Sequence, residues 1–201
     1  MTSAKDTWTG SLFVVGSTCF LVGPFPGFAE LVGARADAAV FFVGSLFFTS
    51  AATLQWLPAR PPGGTDWWSS AWQLVGTLFF NVTTFRALDT AVGAADYNQV
   101  VWRPDAFGSV CFLVSGALAY VGVGGSWRRL PPRTADGRMA SVNLAGCVAF
   151  GVSAAAAYVV PSTAEALDAG VANATTALGA LAFLIGALLL IRQSRRPAAS
   201  R

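Results

Sequence analysis

Six times along this chain, a glycine is followed four residues later by a phenylalanine inside an apolar stretch. The pairs are Gly16/Phe20, Gly44/Phe48, Gly76/Phe80, Gly108/Phe112, Gly146/Phe150 and Gly179/Phe183. A small residue stands one position after each glycine and another stands seven positions after it. Because residues i, i+4 and i+7 share one face of an α-helix, each segment presents an aromatic ring between small residues. The pattern predicts helices that pack closely through these faces.

The first four pairs, Gly16/Phe20 to Gly108/Phe112, are the predicted helix-packing residues. Small residues let helix backbones approach each other inside a membrane, and each phenylalanine can fill the groove beside a neighbouring helix. The alternative is that the rings line a groove for a lipid or a quinone.

Composition places these helices in a membrane. Charged residues make up 11% of the chain, whereas about a quarter of a soluble domain is charged. Apolar runs lie at about 8–28, 38–57, 71–91, 104–123, 140–160 and 174–192. A helix needs about 20 residues to cross the hydrocarbon core. We therefore expect an all-α membrane protein with about six transmembrane helices.

The arginines predict the orientation. Four lie in the 124–139 loop, one at the end of the last apolar run and three in the 193–201 tail, namely Arg128, Arg129, Arg133, Arg138, Arg192, Arg195, Arg196 and Arg201. The connection between the last two runs holds Glu165 and Asp168 and no basic residue. The positive-inside rule then predicts a cytoplasmic loop at 124–139, a cytoplasmic tail and a cytoplasmic N-terminus.

The six glycines recur at intervals of roughly 30 residues, which suggests duplication of a smaller helical unit. The Pro- and Arg-containing loop at 124–139 divides a predicted four-span core at 1–123 from a two-span helical hairpin at 140–192. Pro24 and Pro26 either end the first span or break a helix that continues to about Gly33.

The sequence offers little chemistry. It contains no histidine, which excludes haem ligation by histidine, the usual zinc sites and histidine-based proton transfer. No phosphate-binding loop, nucleophile elbow or dinucleotide fingerprint is present. We expect no cofactor, no metal site, no nucleic-acid partner and no enzymatic activity. Cys19, Cys111 and Cys147 are expected to serve as small packing residues.

A polar stripe runs down the third span. Gln73, Thr77, Asn81 and Thr84 stand at i, i+4, i+8 and i+11, on one helix face. Polar groups at membrane depth are costly and therefore attract a functional hypothesis, here a polar path. The alternative is hydrogen bonding between helices, which contributes about 0.6 kcal/mol per bond on average.

The connection that follows the third span holds the candidate outer mouth of such a path. Its residues are Arg86, Asp89, Trp102 and Asp105. Arg86 and Asp89 stand three residues apart, so they either pair locally or take partners from a loop.

The segments VGSLFF and LVGTLFFNVTTF and the run VWRPDAFGSVCFLVSGALAYV resemble small bacterial membrane proteins of the YrhK-like family. In that family a Trp and an Asp or Asn precede a Gly-Ser-x-x-Phe helix, and Trp102, Asp105, Gly108, Ser109 and Phe112 fit this pattern. The resemblance covers about 38–123. It implies a multi-span inner-membrane protein and brings no catalytic residues with it.

The function expected from these observations is a non-enzymatic packing or interaction module in the lipid bilayer, either a homo-oligomer or a partner of another membrane protein. The alternative is a small permease or channel with its path along the third span. A membrane enzyme acting on lipids ranks third, because it requires carboxylates that converge at one interface.

Overall fold

The computed structural model describes residues 2–59 and 62–195, and most of them are helical. The helices are α1 Thr2–Val22, α2 Phe28–Val32, α3 Ala34–Trp56, α4 Thr65–Ala87, α5 Arg103–Gly124, α6 Ala135–Ala156 and α7 Ala169–Ser194. A π-helical turn, Asn98–Trp102, leads directly into α5. Strand β1, Val159–Val160, pairs antiparallel with β2, Glu165–Ala166, between α6 and α7.

Local sequence explains where several helices begin and end. Helix α1 ends at Val22, just before the Gly-Pro-Phe-Pro-Gly segment, because proline lacks a backbone donor. Gly33 joins α2 to α3 at a φ of 88°, which a residue with a side chain rarely adopts. Of the two predictions for this region, the structure agrees with the first. The first span stops here, and a separate short helix follows. Asp168 caps the start of α7, because its carboxylate accepts a hydrogen bond from the Val171 N–H at 2.9 Å.

Among the described residues, four helices are long and apolar enough to cross a membrane, namely α3, Asn98–Gly124, α6 and α7. They fit a membrane protein and confirm the helical fold class. Helices α1 and α4 are of similar length but are not among these four. Helix α4 carries a serine- and threonine-rich face besides Gln73 and Asn81, which explains its lower hydropathy. Four of the six predicted spans thus coincide with helices that are long and apolar enough to cross a membrane.

The six long helices pack side by side in a ring. The neighbouring pairs are α1 and α3, α3 and α4, α4 and α5, α5 and α6, α6 and α7, and α7 and α1. The last pair closes the ring: the hydroxyl oxygens of Thr7 and Ser194 share a hydrogen bond at 2.8 Å, and Gly10 lies against Ile191. Residues of both 1–123 and 140–192 contribute to one core cluster.

The ring is built from three helical hairpins that share one packing arrangement. In the hairpin of α4 and α5, Phe112 lies against Gly76 and Phe80 lies against Gly108. The other two hairpins make the same exchange, which pairs Gly16 with Phe48, Gly44 with Phe20, Gly146 with Phe183 and Gly179 with Phe150. All eight predicted packing residues take part. Because the glycine of one helix meets the phenylalanine of the other, the two helices of each hairpin are antiparallel.

The six phenylalanines meet at the axis of the ring in two layers. In the first layer, the ring centroids of Phe20, Phe80 and Phe150 lie 6.1–6.4 Å apart. In the second layer, Phe183 lies 5.9 Å from Phe48 and 5.6 Å from Phe112. Tilted and edge-to-face aromatic pairs contribute about 0.5–1.5 kcal/mol each beyond the area that they bury. The layers fill the middle of the bundle.

The small residue that follows each glycine lies between neighbouring hairpins or helices. The set comprises Ser17, Ser45, Thr77, Ser109, Cys147 and Ala180, and all are buried. Ser45 shares a hydrogen bond with Thr84 across α3 and α4, at 3.0 Å. Ser109 donates to the Phe150 carbonyl across α5 and α6, at 3.4 Å. These residues let adjacent hairpins approach each other closely.

Two glycine substitutions test the packing arrangement. A Cβ at Gly76 would lie 2.5 Å from Phe112 Cδ1 and 3.0 Å from the Gly108 carbonyl oxygen, whereas one at Gly186 would meet no described atom within 4 Å. Gly76→Ala should therefore lower the free energy of unfolding by about 1–3 kcal/mol. Gly186→Ala should leave it unchanged or raise it by up to about 1 kcal/mol, since alanine favours helix. Thermal unfolding in detergent measures both, and equal effects would contradict the arrangement.

Candidate functional site

A cavity of about 600 Å³ lies inside one end of the ring. We call this end, where α4 and α6 begin and α3, α5 and α7 end, the basic end, and the opposite one the acidic end. Each long helix contributes to the lining, which includes Phe13, Gln55, Gln73, Ala119, Asn143 and Leu190. Phe13 and Phe183 also line it, Phe183 being a member of the second phenylalanine layer, and the exposed residues Asp66 and Asp136 lie at its rim.

Besides the exposed Gln55, two carboxamides in the lining have no hydrogen-bond partner among the residues that the structure describes. Gln73 is only 8% exposed, yet its side chain hydrogen-bonds no other group in the described part of the chain. The half-buried Asn143 is likewise unpaired among residues 2–59 and 62–195. Leaving a buried polar group unsatisfied costs about 1–3 kcal/mol. Both amides are therefore available to water or a solute in the cavity.

The charges at the cavity are negative. Asp66 and Asp136 belong to the lining, and no lysine or arginine side chain of the described residues does. Asp136 Oδ1 accepts a hydrogen bond from Gln193 Nε2 at 2.9 Å, which positions the carboxylate at the rim. The cavity thus combines an acidic rim, amide groups inside it and apolar walls.

The predicted polar stripe divides between the cavity and the helix interfaces. Gln73 lines the cavity. Thr77 is fully buried and donates to the Leu74 carbonyl. Asn81 Nδ2 donates to Thr49 Oγ1 at 2.9 Å, and Thr84 donates to the Phe80 carbonyl at 2.6 Å. The four residues do not line one continuous path in this structure.

The residues of the predicted outer mouth lie apart from one another. Arg86 is exposed, and Asp89 pairs with Arg35 at 3.3 Å. Asp89 therefore does not take Arg86 as its partner, and its partner Arg35 lies in the first turn of α3 and not in a loop, so neither predicted arrangement describes this pair. Trp102 Nε1 donates to the Ala154 carbonyl at 2.8 Å, so this indole joins the π-helical turn to α6.

Asp105, the fourth of them, is half-buried in the first turn of α5. It affects the pKa of Tyr97, which lies in the connection just before the π-helical turn. Burial raises the pKa of the Tyr97 phenol above its ordinary value, and the nearby Asp105 carboxylate adds to the rise. Tyr97 therefore remains a neutral phenol.

Asn98 is a structural residue that the sequence did not single out as a contact. Its amide donates to the Val159 carbonyl at 2.6 Å and its carbonyl oxygen accepts from the Val159 N–H at 3.1 Å. Gly93, at a φ of 88°, lies against Ala164 in the β1–β2 turn. These contacts hold the connection between α4 and α5 on the β-hairpin, over the acidic end.

The sequence does contain a pattern that indicates the cavity. This pattern continues the polar face of α4 in the direction opposite to the predicted path. Asp66 and Ser69 stand seven and four residues before Gln73, so they continue the same face of α4 towards the basic end. Both line the cavity. Asn143 and Asp136 carry no comparable signal, because nothing in one sequence shows which helix faces α4.

Among the residues that the structure describes, no three His, Cys, Asp or Glu side chains are placed to hold a metal ion. No family model, curated protein or solved structure matches the chain. The YrhK-like resemblance stays a prediction, and the cavity carries the functional argument.

The two amides of α4 should respond differently to substitution. Asn81→Leu removes the bond to Thr49 and should lower the free energy of unfolding by about 0.6–1.7 kcal/mol, the range for hydrogen bonds between membrane helices. Gln73→Leu breaks no protein hydrogen bond and should leave stability nearly unchanged. Unfolding in detergent, with Thr49→Val completing a double-mutant cycle on Asn81, measures the difference. A larger loss for Gln73→Leu would show that its amide is paired.

Proposed function

We propose that all six long helices cross the membrane, with the basic end in the cytoplasm of a bacterial cell. In the ring, α1 and α4 each lie between two helices that are apolar enough to span the membrane. They also present apolar side chains on the outside of the ring, such as Val15 of α1 and Val75, Leu78 and Val82 of α4. Most polar residues between their ends face the interior and the helix interfaces, and the exposed Thr18 of α1 donates its hydroxyl proton to the Val14 carbonyl. The arginines of the basic end support the orientation.

The proposed activity is binding of a small solute from the cytoplasmic side, by a membrane protein that is not an enzyme. The observation that carries it is the cavity of about 600 Å³ with the unpartnered Gln73 amide in its lining. Ligand sites in proteins are concave and mostly apolar, with a few polar groups that fix orientation. The phenylalanine layers close the bundle beyond the cavity, so the arrangement suits a carrier or a sensor better than an open pore.

A packing or interaction module remains the second candidate. The closely packed glycine–phenylalanine hairpins favour it, because they form a rigid bundle whose outer surface is free to contact lipid, a second copy or another membrane protein. Under this proposal the cavity holds only water.

Single cysteines at Ala59 and Ala95 distinguish six spans from four. The three natural cysteines, Cys19, Cys111 and Cys147, are first replaced by alanine. If α4 crosses the membrane, an impermeant maleimide labels the cysteine at 59 from one side and the one at 95 from the other. If α4 does not cross, both cysteines are labelled from the same side.

A cysteine at Ala119, in the cavity lining, tests whether solutes reach the site. In the same background, an impermeant maleimide should label Ala119→Cys from the side of the basic end. Leu181→Cys, which is exposed on the outer surface of α7, is the matched control and should react slowly because lipid covers it. If Ala119→Cys reacts as slowly as Leu181→Cys, the cavity is closed to solutes and the proposed activity is wrong.

A further inference from the structure

The chemistry of the cavity identifies a class of solute, and this step rests on the proposed function. We infer that the cavity binds a small organic cation, an ammonium group that carries an apolar portion. The argument combines the charge at the rim, the unpartnered amide inside and the composition of the walls.

The rim favours a positive charge. Asp66 and Asp136 come from the first turns of two different helices, and both belong to the cavity lining. Clefts that carry one sign of charge between low-dielectric walls concentrate the field and raise the local concentration of the opposite charge. The arginines of the basic end lie on the connections and the helix ends, and none of those described lines the cavity.

The interior can receive an ammonium group. A cation that leaves water needs oxygen acceptors to replace its hydration. Gln73 and Asn143 each offer a carbonyl oxygen that no described group uses. Ser69 donates its own proton to the Ser115 carbonyl at 3.0 Å, so its hydroxyl oxygen can still accept from a ligand. These three side chains supply neutral acceptors between the rim and the phenylalanine layers.

The walls of the cavity can contact the apolar portion of such a ligand. Phe13, Phe183, Ala187 and Leu190 line the deep part and one side of the cavity. Aromatic faces also attract cations, by about 0.5–1 kcal/mol at exposed sites and more where water is excluded. An inorganic cation would leave these apolar surfaces uncovered, and an organic anion would meet two carboxylates at the entrance.

The test is protection of the cysteine at position 119 from an impermeant maleimide in the full chain. Three probes of equal size and different charge are compared, namely butylammonium, butanol and butyrate. Butylammonium should slow labelling in a saturable manner, and the two other probes should not. Protection should weaken as salt is raised, because ions screen the exposed carboxylates.

Two variants assign the effect to the named groups. Asp66→Asn combined with Asp136→Asn should raise the half-protecting concentration of butylammonium about five- to tenfold, as expected for two exposed charge interactions. Gln73→Met keeps the side-chain volume, removes the amide and should raise it about fivefold. Asp96→Asn combined with Glu165→Gln makes the same charge change at the acidic end and should have no effect. Protection is compared only among variants whose thermal stability in detergent matches that of the parent protein.

The outcomes separate this inference from the proposed function. Equal protection by butanol, or stronger protection by butyrate, would overturn the cation assignment and leave a solute-binding cavity. Absence of protection by every probe, while the cysteine still reacts, would also overturn the assignment. Failure of the cysteine to react at all would instead contradict the accessible cavity on which both proposals depend.

Discussion

The exchange of phenylalanine for glycine between antiparallel helices is the interaction on which this fold depends. Inside a bilayer the hydrophobic effect does not drive helices together, so van der Waals packing and a few hydrogen bonds must do so. A glycine opposite each ring provides the space, as between Gly76 and Phe112 and between Gly108 and Phe80. Repetition in three hairpins brings all six rings to one axis, and the ring of helices closes around them.

The same packing determines where a ligand can bind. The two aromatic layers fill the centre of the bundle, and the β-hairpin and the Asn98 contacts cover the acidic end. The cavity lies at the basic end, where the helices present smaller or polar residues such as Ala119, Asn143 and Gly186. The proposed site is therefore one-sided, and passage through the bundle would require the phenylalanine layers to separate.

Much of this architecture could be predicted from the sequence, since the glycine and phenylalanine spacing defines a face on every long helix. The periodicity also identified the polar face of α4. It could not show that Asn81 meets Thr49 while Gln73 meets a cavity, because one sequence reveals which face a residue occupies and not which helix lies opposite. The same limit explains Asp89, whose partner Arg35 lies 54 positions earlier in the chain. Asn98 was missed because it bonds to backbone groups, which leave no trace in side-chain patterns.

Closure of the ring between the first and last long helices is the central structural claim, and a disulfide tests it most directly. The hydroxyl oxygens of Thr7 and Ser194 lie 2.8 Å apart, so cysteines at these two positions can bond with little backbone movement. In a background without the natural cysteines, Thr7→Cys combined with Ser194→Cys should form an intramolecular disulfide under mild oxidation, detected as faster gel migration and a mass loss of about two daltons. The single variants should form none within the chain. If the double variant forms only bonds between separate chains, or stays reduced while both cysteines react with maleimide, the ring does not close.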